Sequence, residues 1–341
     1  MARFNLLDYE SCLEQLKTEA KTDRTELSYA FRPLTKNGYI SKRKDGCVSI
    51  LAKGRELFPG LEPLISAGGG EAERKRVMVV SRMAMWMEGQ GFPPLGELPD
   101  GPGMFFIPSA CWRKIAPGIL STTRFVGMLV GCRQRMAVYD IGDGHIEWQV
   151  RAEGSLFYMK YGSYETRATG MLLVCQEDKR DEVAQNIIRQ TMWSRKQLLS
   201  ARCSERNRPA RWSRSPIKLR AQYERVYLTT PHRIQKDVWS ILREESLIRS
   251  LSGEEGVRLG SQDAADIEVW PRRLFVNPAT DLLKYVRFFA AVKDSLNRDK
   301  LSEQYTGQIQ YELYAPAGDE AIVHMYRDVE ESEEVSLFTL T

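Results

Sequence analysis

TKNGYISKRKDGCVSILAKGREL, residues 35–57, is the stretch on which the reading of the N-terminal part turns. Two short β-rich runs flank Asp45-Gly46, and Asp-Gly predicts a tight hairpin turn whose central residues accept positive φ. Ile40, Val48 and Ile50 are the expected inward residues of that hairpin. Just upstream, Leu27, Phe31 and Leu34 are four and three residues apart, which is helical spacing. The helix should start near 22–25 and stop at Asn37-Gly38, where glycine accepts the left-handed cap conformation. Lys36, Lys42, Arg43, Lys44, Lys53 and Arg55 crowd around this small element. Six cations on one hairpin require a partner or an internal use.

The whole chain frames that question. At 341 residues it exceeds one ordinary core, so two or three domains are expected. A 43% hydrophobic fraction with 28% charged residues describes a globular protein. No apolar run reaches the roughly 18–20 residues that a membrane span needs. The opening MARFNLLDYESC lacks the apolar core of a signal peptide, which predicts a cytoplasmic protein without membrane partners. The six cysteines are scattered without a C-x-x-C, and there are three histidines. Reduced structural thiols are therefore expected, with no metal site and no cofactor.

The formal net charge of +4 hides an uneven distribution. Residues 24–55 carry eight Lys/Arg against Glu26 and Asp45, and residues 195–225 carry ten against Glu205 and Glu224. The remainder is acidic, most visibly in DVEESEE at 328–334. Two basic islands on an acidic chain point to polyanion contact through particular surfaces.

Outward from the hairpin, residues 6–19 show helical spacing at Leu6, Tyr9, Leu13 and Leu16. SAGGGEAE (66–73) reads as a boundary, followed by an apolar helix at 71–88 with glutamates at its positive end. Its Met78, Met83, Met85 and Met87 read either as a core or homodimer-interface stripe or as a pliable binding surface. Residues 92–103 are rich in proline and glycine and read as loop. Beyond them a helix is expected at 109–116, strands at 124–131, 134–141 and 145–150, and a strand at 171–175. A helix at 179–200, a strand at 225–229, a helix at 232–251, a strand at 274–276 and a helix at 279–295 complete the series. A C-terminal hairpin is expected between QIQYELY (308–314) and AIVHMY (321–326). These runs predict a mixed α+β or α/β fold with a mixed sheet. The expected division is 1–58, a linker and apolar helix at 59–103, and a mixed α/β domain with an acidic tail at 104–341.

ELSYAFRPLTKNGYISKRKDGCVSILAKGREL (26–57) resembles the helix-plus-wing half of winged helix-turn-helix DNA-binding proteins. That resemblance implies duplex DNA as the partner. The exposed helix face would offer Arg24, Thr25, Ser28, Tyr29, Arg32 and Lys36 to the major groove, and the wing Lys42, Arg43 and Lys44 to phosphates. Pro33 falls inside this helix, where it removes a backbone bond and is expected to kink it. The whole layout is also similar to replication-relaxation proteins of plasmids and conjugative elements. These pair a winged helix with a restriction-endonuclease-like domain of αβββαβ order. This implies a role in the maintenance, replication or regulation of a plasmid or mobile element.

Nucleases of that fold hold Mg²⁺ between an Asp and a Glu on adjacent strands, with a Lys two residues after the Glu. The nearest pair here is Asp140 and Glu147, but Gln149 stands at the lysine position. A Mg²⁺-dependent nuclease and a non-catalytic DNA-binding domain both remain open on this reading. The second basic island offers Arg206, Arg208, Arg211, Arg214 and Lys218 around Trp212, a composition suited to phosphate contact and base stacking. Its alternative is a solvated surface loop, or one folded against the acidic C-terminal tail as an internal ion-pair network. A third reading is an interaction scaffold using the Met-rich helix at 77–87 and the acidic tail. Phosphate-loop, dinucleotide-binding and G-x-S-x-G signatures are absent.

Overall fold

The computed structural model describes residues 6–10, 12–13, 24–44, 46–60, 64, 70–98, 103–115, 124–131, 134–142, 170–188, 225–251, 258–259, 265–269, 271–277, 281–299, 309–319, 322 and 335–340. The protein is a mixed α+β chain with several sheets. It divides into two compact units, Met1–Val138 and Tyr139–Thr341.

In the first unit, helix α1 (Arg24–Lys36) is followed by strands β2 (Ile40–Lys42) and β3 (Cys47–Ile50). Its end is a Schellman cap. The Tyr39 N–H donates to Leu34 O at 2.9 Å, the Gly38 N–H donates to Thr35 O at 3.1 Å, and Gly38 has φ +74°. Pro33 lies inside α1 without ending it, and the Asn37 N–H donates back to Pro33 O. The hairpin turn departs from the two-residue form expected of Asp-Gly. Lys42 pairs with Val48, the Arg43 N–H donates to Cys47 O at 2.8 Å, and the Gly46 N–H donates to Arg43 O at 3.3 Å. The connection is thus three residues, 44–46, with Gly46 at φ +81° as the bulge glycine.

Strand β1 (Leu6–Asp8) overturns the expectation of a helix beginning at residue 6. It pairs antiparallel with β3, Leu7 opposite Val48, giving the sheet order β1-β3-β2. Among the described residues only Tyr9, Glu10, Cys12 and Leu13 are helical, because the edge of β3 claims the three residues before them; Leu16 lies outside the described residues. Tyr9 meets Phe31 of α1 edge-on, with ring centroids 5.2 Å apart.

Helix α2 (Ala52–Arg55) follows β3 directly. Gly54 is buried against the backbone, and a Cβ there would lie 2.3 Å from Tyr39 O. Helix α3 (Glu71–Gly89) packs on β1. Val77, Val80, Met83, Ala84 and Met87 are buried, which favours the core reading of the methionine stripe. Strand β4 (Met104–Pro108), an apolar run not anticipated as a strand, pairs antiparallel with β5 (Phe125–Gly131). Between them stands helix α4 (Ser109–Ile115).

Strand β6 (Gln134–Gly142) holds the division between the units. The second unit continues with β7 (Gly170–Cys175) and β8 (Arg225–Thr229), which pair in parallel. The five strands follow the order β4-β5-β6-β7-β8, a mixed sheet. Every residue of β7 is buried, as parallel strands covered on both faces require.

Helix α5 (Ile234–Leu251) leads to β9 (Arg258–Leu259), β10 (Ile267–Val269) and β11 (Arg272–Val276). Helix α6 (Leu282–Asp299) then crosses over to β12 (Gln310–Pro316), and β13 (Val335–Leu340) ends the described chain. The second sheet runs β13-β12-β11-β10-β9. Here the expected C-terminal hairpin is corrected. Strand β12 is flanked by parallel neighbours, Leu274 opposite Glu312 on one side and Leu337 opposite Leu313 on the other, while Ile322 is helical. Helix α6 packs on both β8 and β11, with Tyr285, Phe288, Phe289 and Val292 buried.

Candidate nucleic-acid interface and a buried charge network

The basic face of the first unit is built by α1 and the hairpin. Phe31 is the inward anchor of α1, and Tyr29, Arg32, Pro33, Leu34 and Lys36 are all exposed. At 3.6 residues per turn, positions 29, 32, 33 and 36 share the face opposite Phe31. The Arg32 guanidinium carbon lies 4.5 Å from the centre of the Tyr29 ring. Arg43 and Lys44 are exposed at the hairpin tip. Among the described residues, Arg32, Lys36, Arg43 and Lys44 have no carboxylate within ion-pair reach.

The remaining cations of the opening stretch differ in use. The Lys42 ammonium sits 3.3 Å from the centre of the Tyr9 ring, bracing the hairpin against the sheet. Lys53 lies over the Tyr39 ring at 4.9 Å and donates to Asn37 O at 3.2 Å, which supports the end of α1. Of the predicted contacts, Tyr29, Arg32, Lys36, Arg43 and Lys44 are therefore presented to solvent, and Lys42 is half committed to packing. Arg24, Thr25 and Ser28 fall in the first turns of α1.

Asp140 lies near the end of β6, half-buried, and its Oδ1 accepts the Gly142 N–H at 3.2 Å. Glu147 lies outside the described residues, as do Arg206, Arg208, Arg211, Trp212, Arg214 and Lys218. Among the described residues no group of three or more His, Cys, Asp and Glu is placed to hold a metal. No helix among them is long and apolar enough to cross a membrane.

The second unit holds charges that sequence reasoning missed. Near the carboxyl ends of β7 and β8, Arg180 pairs with the buried Asp319, and Arg233 reaches Asp319 and Asp237 at 3.5 Å each. Thr229 Oγ1 donates to Asp237 Oδ2 at 2.7 Å, and the Tyr285 hydroxyl donates to Asp319 Oδ2 at 3.2 Å. Burial raises Asp237 above the usual carboxylate value, against the pull of Arg233 and the Thr229 hydroxyl. Burial opposes the charge on Arg180, and the Asp319, Asp237 and Asp181 carboxylates together more than offset it, Asp319 foremost. Burial also pushes the Cys175 thiol up to about 12, which leaves it inert.

A second cluster lies between α5 and α6. The buried Lys284 ammonium pairs with Glu244 and with Asp266 at 3.0 Å, and donates to Val276 O. Glu244 also pairs with Arg225. Asp281 Oδ1 accepts the Leu283 and Lys284 N–H groups at 3.1 and 3.3 Å, capping α6. Each of these cations faces a carboxylate, so the arrangement ties helices and strands together. One signal in the sequence was available: Asp237 and Glu244 lie on the apolar stripe of Ile234, Val238 and Ile241, where a lone carboxylate demands a partner.

Among the described residues, fold and charge layout thus define a mixed α+β protein with an exposed basic face and two buried ion clusters. Comparison with known protein families, curated proteins and solved structures finds no match to this chain.

Proposed function

We propose that this protein binds DNA through α1 and the β2–β3 hairpin. The observation that carries the reading is the presentation of Arg32, Lys36, Arg43 and Lys44 on exposed positions with no carboxylate partner among the described residues. The order helix, glycine cap, three-stranded antiparallel sheet supports the resemblance to a winged helix. In that reading α1 meets the duplex and the hairpin tip holds phosphates, while Lys42 and Lys53 keep both in place. The setting that the resemblance implies is the maintenance, replication or regulation of a plasmid or mobile element.

Fluorescence anisotropy with a labelled random-sequence duplex tests it. Affinity should fall steeply between about 50 and 200 mM salt, because each neutralised phosphate releases counterions. Binding that is unchanged over that range, or absent at low salt, would remove DNA as the partner.

A further inference from the structure

The α1 face has a composition that duplex reading does not explain. Base-edge recognition in the major groove is carried chiefly by paired donors and acceptors on Arg, Lys, Asn, Gln, Asp or Glu, with Ser, Thr and apolar contacts to the thymine methyl beside them. Tyr29 and Pro33 instead stand one turn apart on the face opposite Phe31. Pro33 has neither a polar side chain nor a backbone N–H. Arg32 could read a guanine, but its guanidinium lies over the Tyr29 ring. What this face offers is an aromatic ring, 55% exposed, fixed by a cation one turn away.

Resting on the DNA-binding reading, we infer that the α1 face takes an unpaired base, so that the module engages DNA where duplex gives way to single strand. Tyr29 is the stacking platform, Arg32 its brace, and Lys36 the cation for the flanking phosphate. Stacking on an aromatic ring is sequence-tolerant, since every base has a π-face. Charge selects this occupant over an apolar protein surface: residues 29–44 include Arg32, Lys36, Lys42, Arg43 and Lys44 and no carboxylate. An exposed ring within such a field suits a polyanion that carries its own flat apolar groups. The hairpin tip, with Arg43 and Lys44, holds the adjoining duplex backbone.

The test compares the full-length protein on three labelled DNAs at one salt concentration: a blunt duplex, the same duplex with a single-stranded flank, and that flank made abasic. Tighter binding of the flanked DNA, by about tenfold, is expected. The abasic flank should lose that gain. Tyr29→Ala should abolish the preference, so that this variant binds flanked and blunt DNA equally, and Tyr29→Phe should retain the preference. Equal affinity for blunt and flanked DNA, or an abasic flank as good as the natural one, overturns the inference while DNA binding stands. Failure to bind any of the three overturns the DNA reading with it, and binding to polyglutamate in that case identifies the face as a protein contact. The abasic comparison uses the unaltered protein, so it decides the matter even if a Tyr29 variant folds poorly.

Discussion

Two regions use positive charge in opposite ways. On α1 and the β2–β3 hairpin, cations stand on exposed positions over a thin core anchored by Phe31 and Tyr9. Between β8, α5 and α6, Lys284 is buried to 2% exposure and shares two carboxylates with its neighbours. In water an exposed cation contributes little to stability, so it can be kept for a partner. In the interior an unmatched charge is prohibitive, so each buried cation here is matched by acids brought from distant parts of the chain. The same residue types therefore report a surface in one region and an architecture in the other. Counting charges along the sequence does not separate the two.

The comparison breaks most visibly at Lys284. Lys284→Met should lower unfolding stability by about 3–5 kcal/mol in urea, because Asp266 loses its cation and the buried Glu244 keeps only Arg225. Adding Glu244→Leu should return part of that loss. A cost below about 1 kcal/mol for Lys284→Met would show that the cluster is not internally compensated. In the first unit the largest effect is predicted at Gly54, where Gly54→Ala forces a methyl against Tyr39 O and should cost about 1–3 kcal/mol. Gly38→Ala, placed in open space but at positive φ, should cost about 1–2 kcal/mol by thermal unfolding.

Removing surface charge should act on binding instead. Arg43→Ala with Lys44→Ala should leave stability within about 0.5 kcal/mol and make the salt dependence of DNA affinity shallower by about two phosphates. Loss of stability without loss of affinity would move the tip from the surface class to the structural one.

The smallest effect is a pH slope. Burial raises Asp237 above the ordinary value of 3.8, so the folded protein holds that proton to higher pH than the unfolded chain does. Between those two values the unfolded state binds fewer protons, and stability falls as pH rises through the window. Urea unfolding at pH 4, 5 and 6 should show this component in the natural protein and its loss in Asp237→Asn.

Local chemistry determined much of what could be read from the sequence. Helix α1, its glycine stop, the charged hairpin, α3, β5, β8 and α5 rest on capping, turn and periodicity signals carried within a few residues. For that reason they were legible, and so was the basic face they present. Tertiary structure alone decided the rest. The helical spacing at Leu6 yields to strand β1 because β3 offers a free edge, and the bulge at Gly46 follows from strand register. Strand β12 takes parallel neighbours in place of a hairpin because β11 and β13 reach it after long connections. Arg180 and Asp319, 139 residues apart, find each other only when the chain folds. Hydrogen-bonded edges and buried charges must be matched wherever their partners lie, and sequence spacing carries no record of that distance.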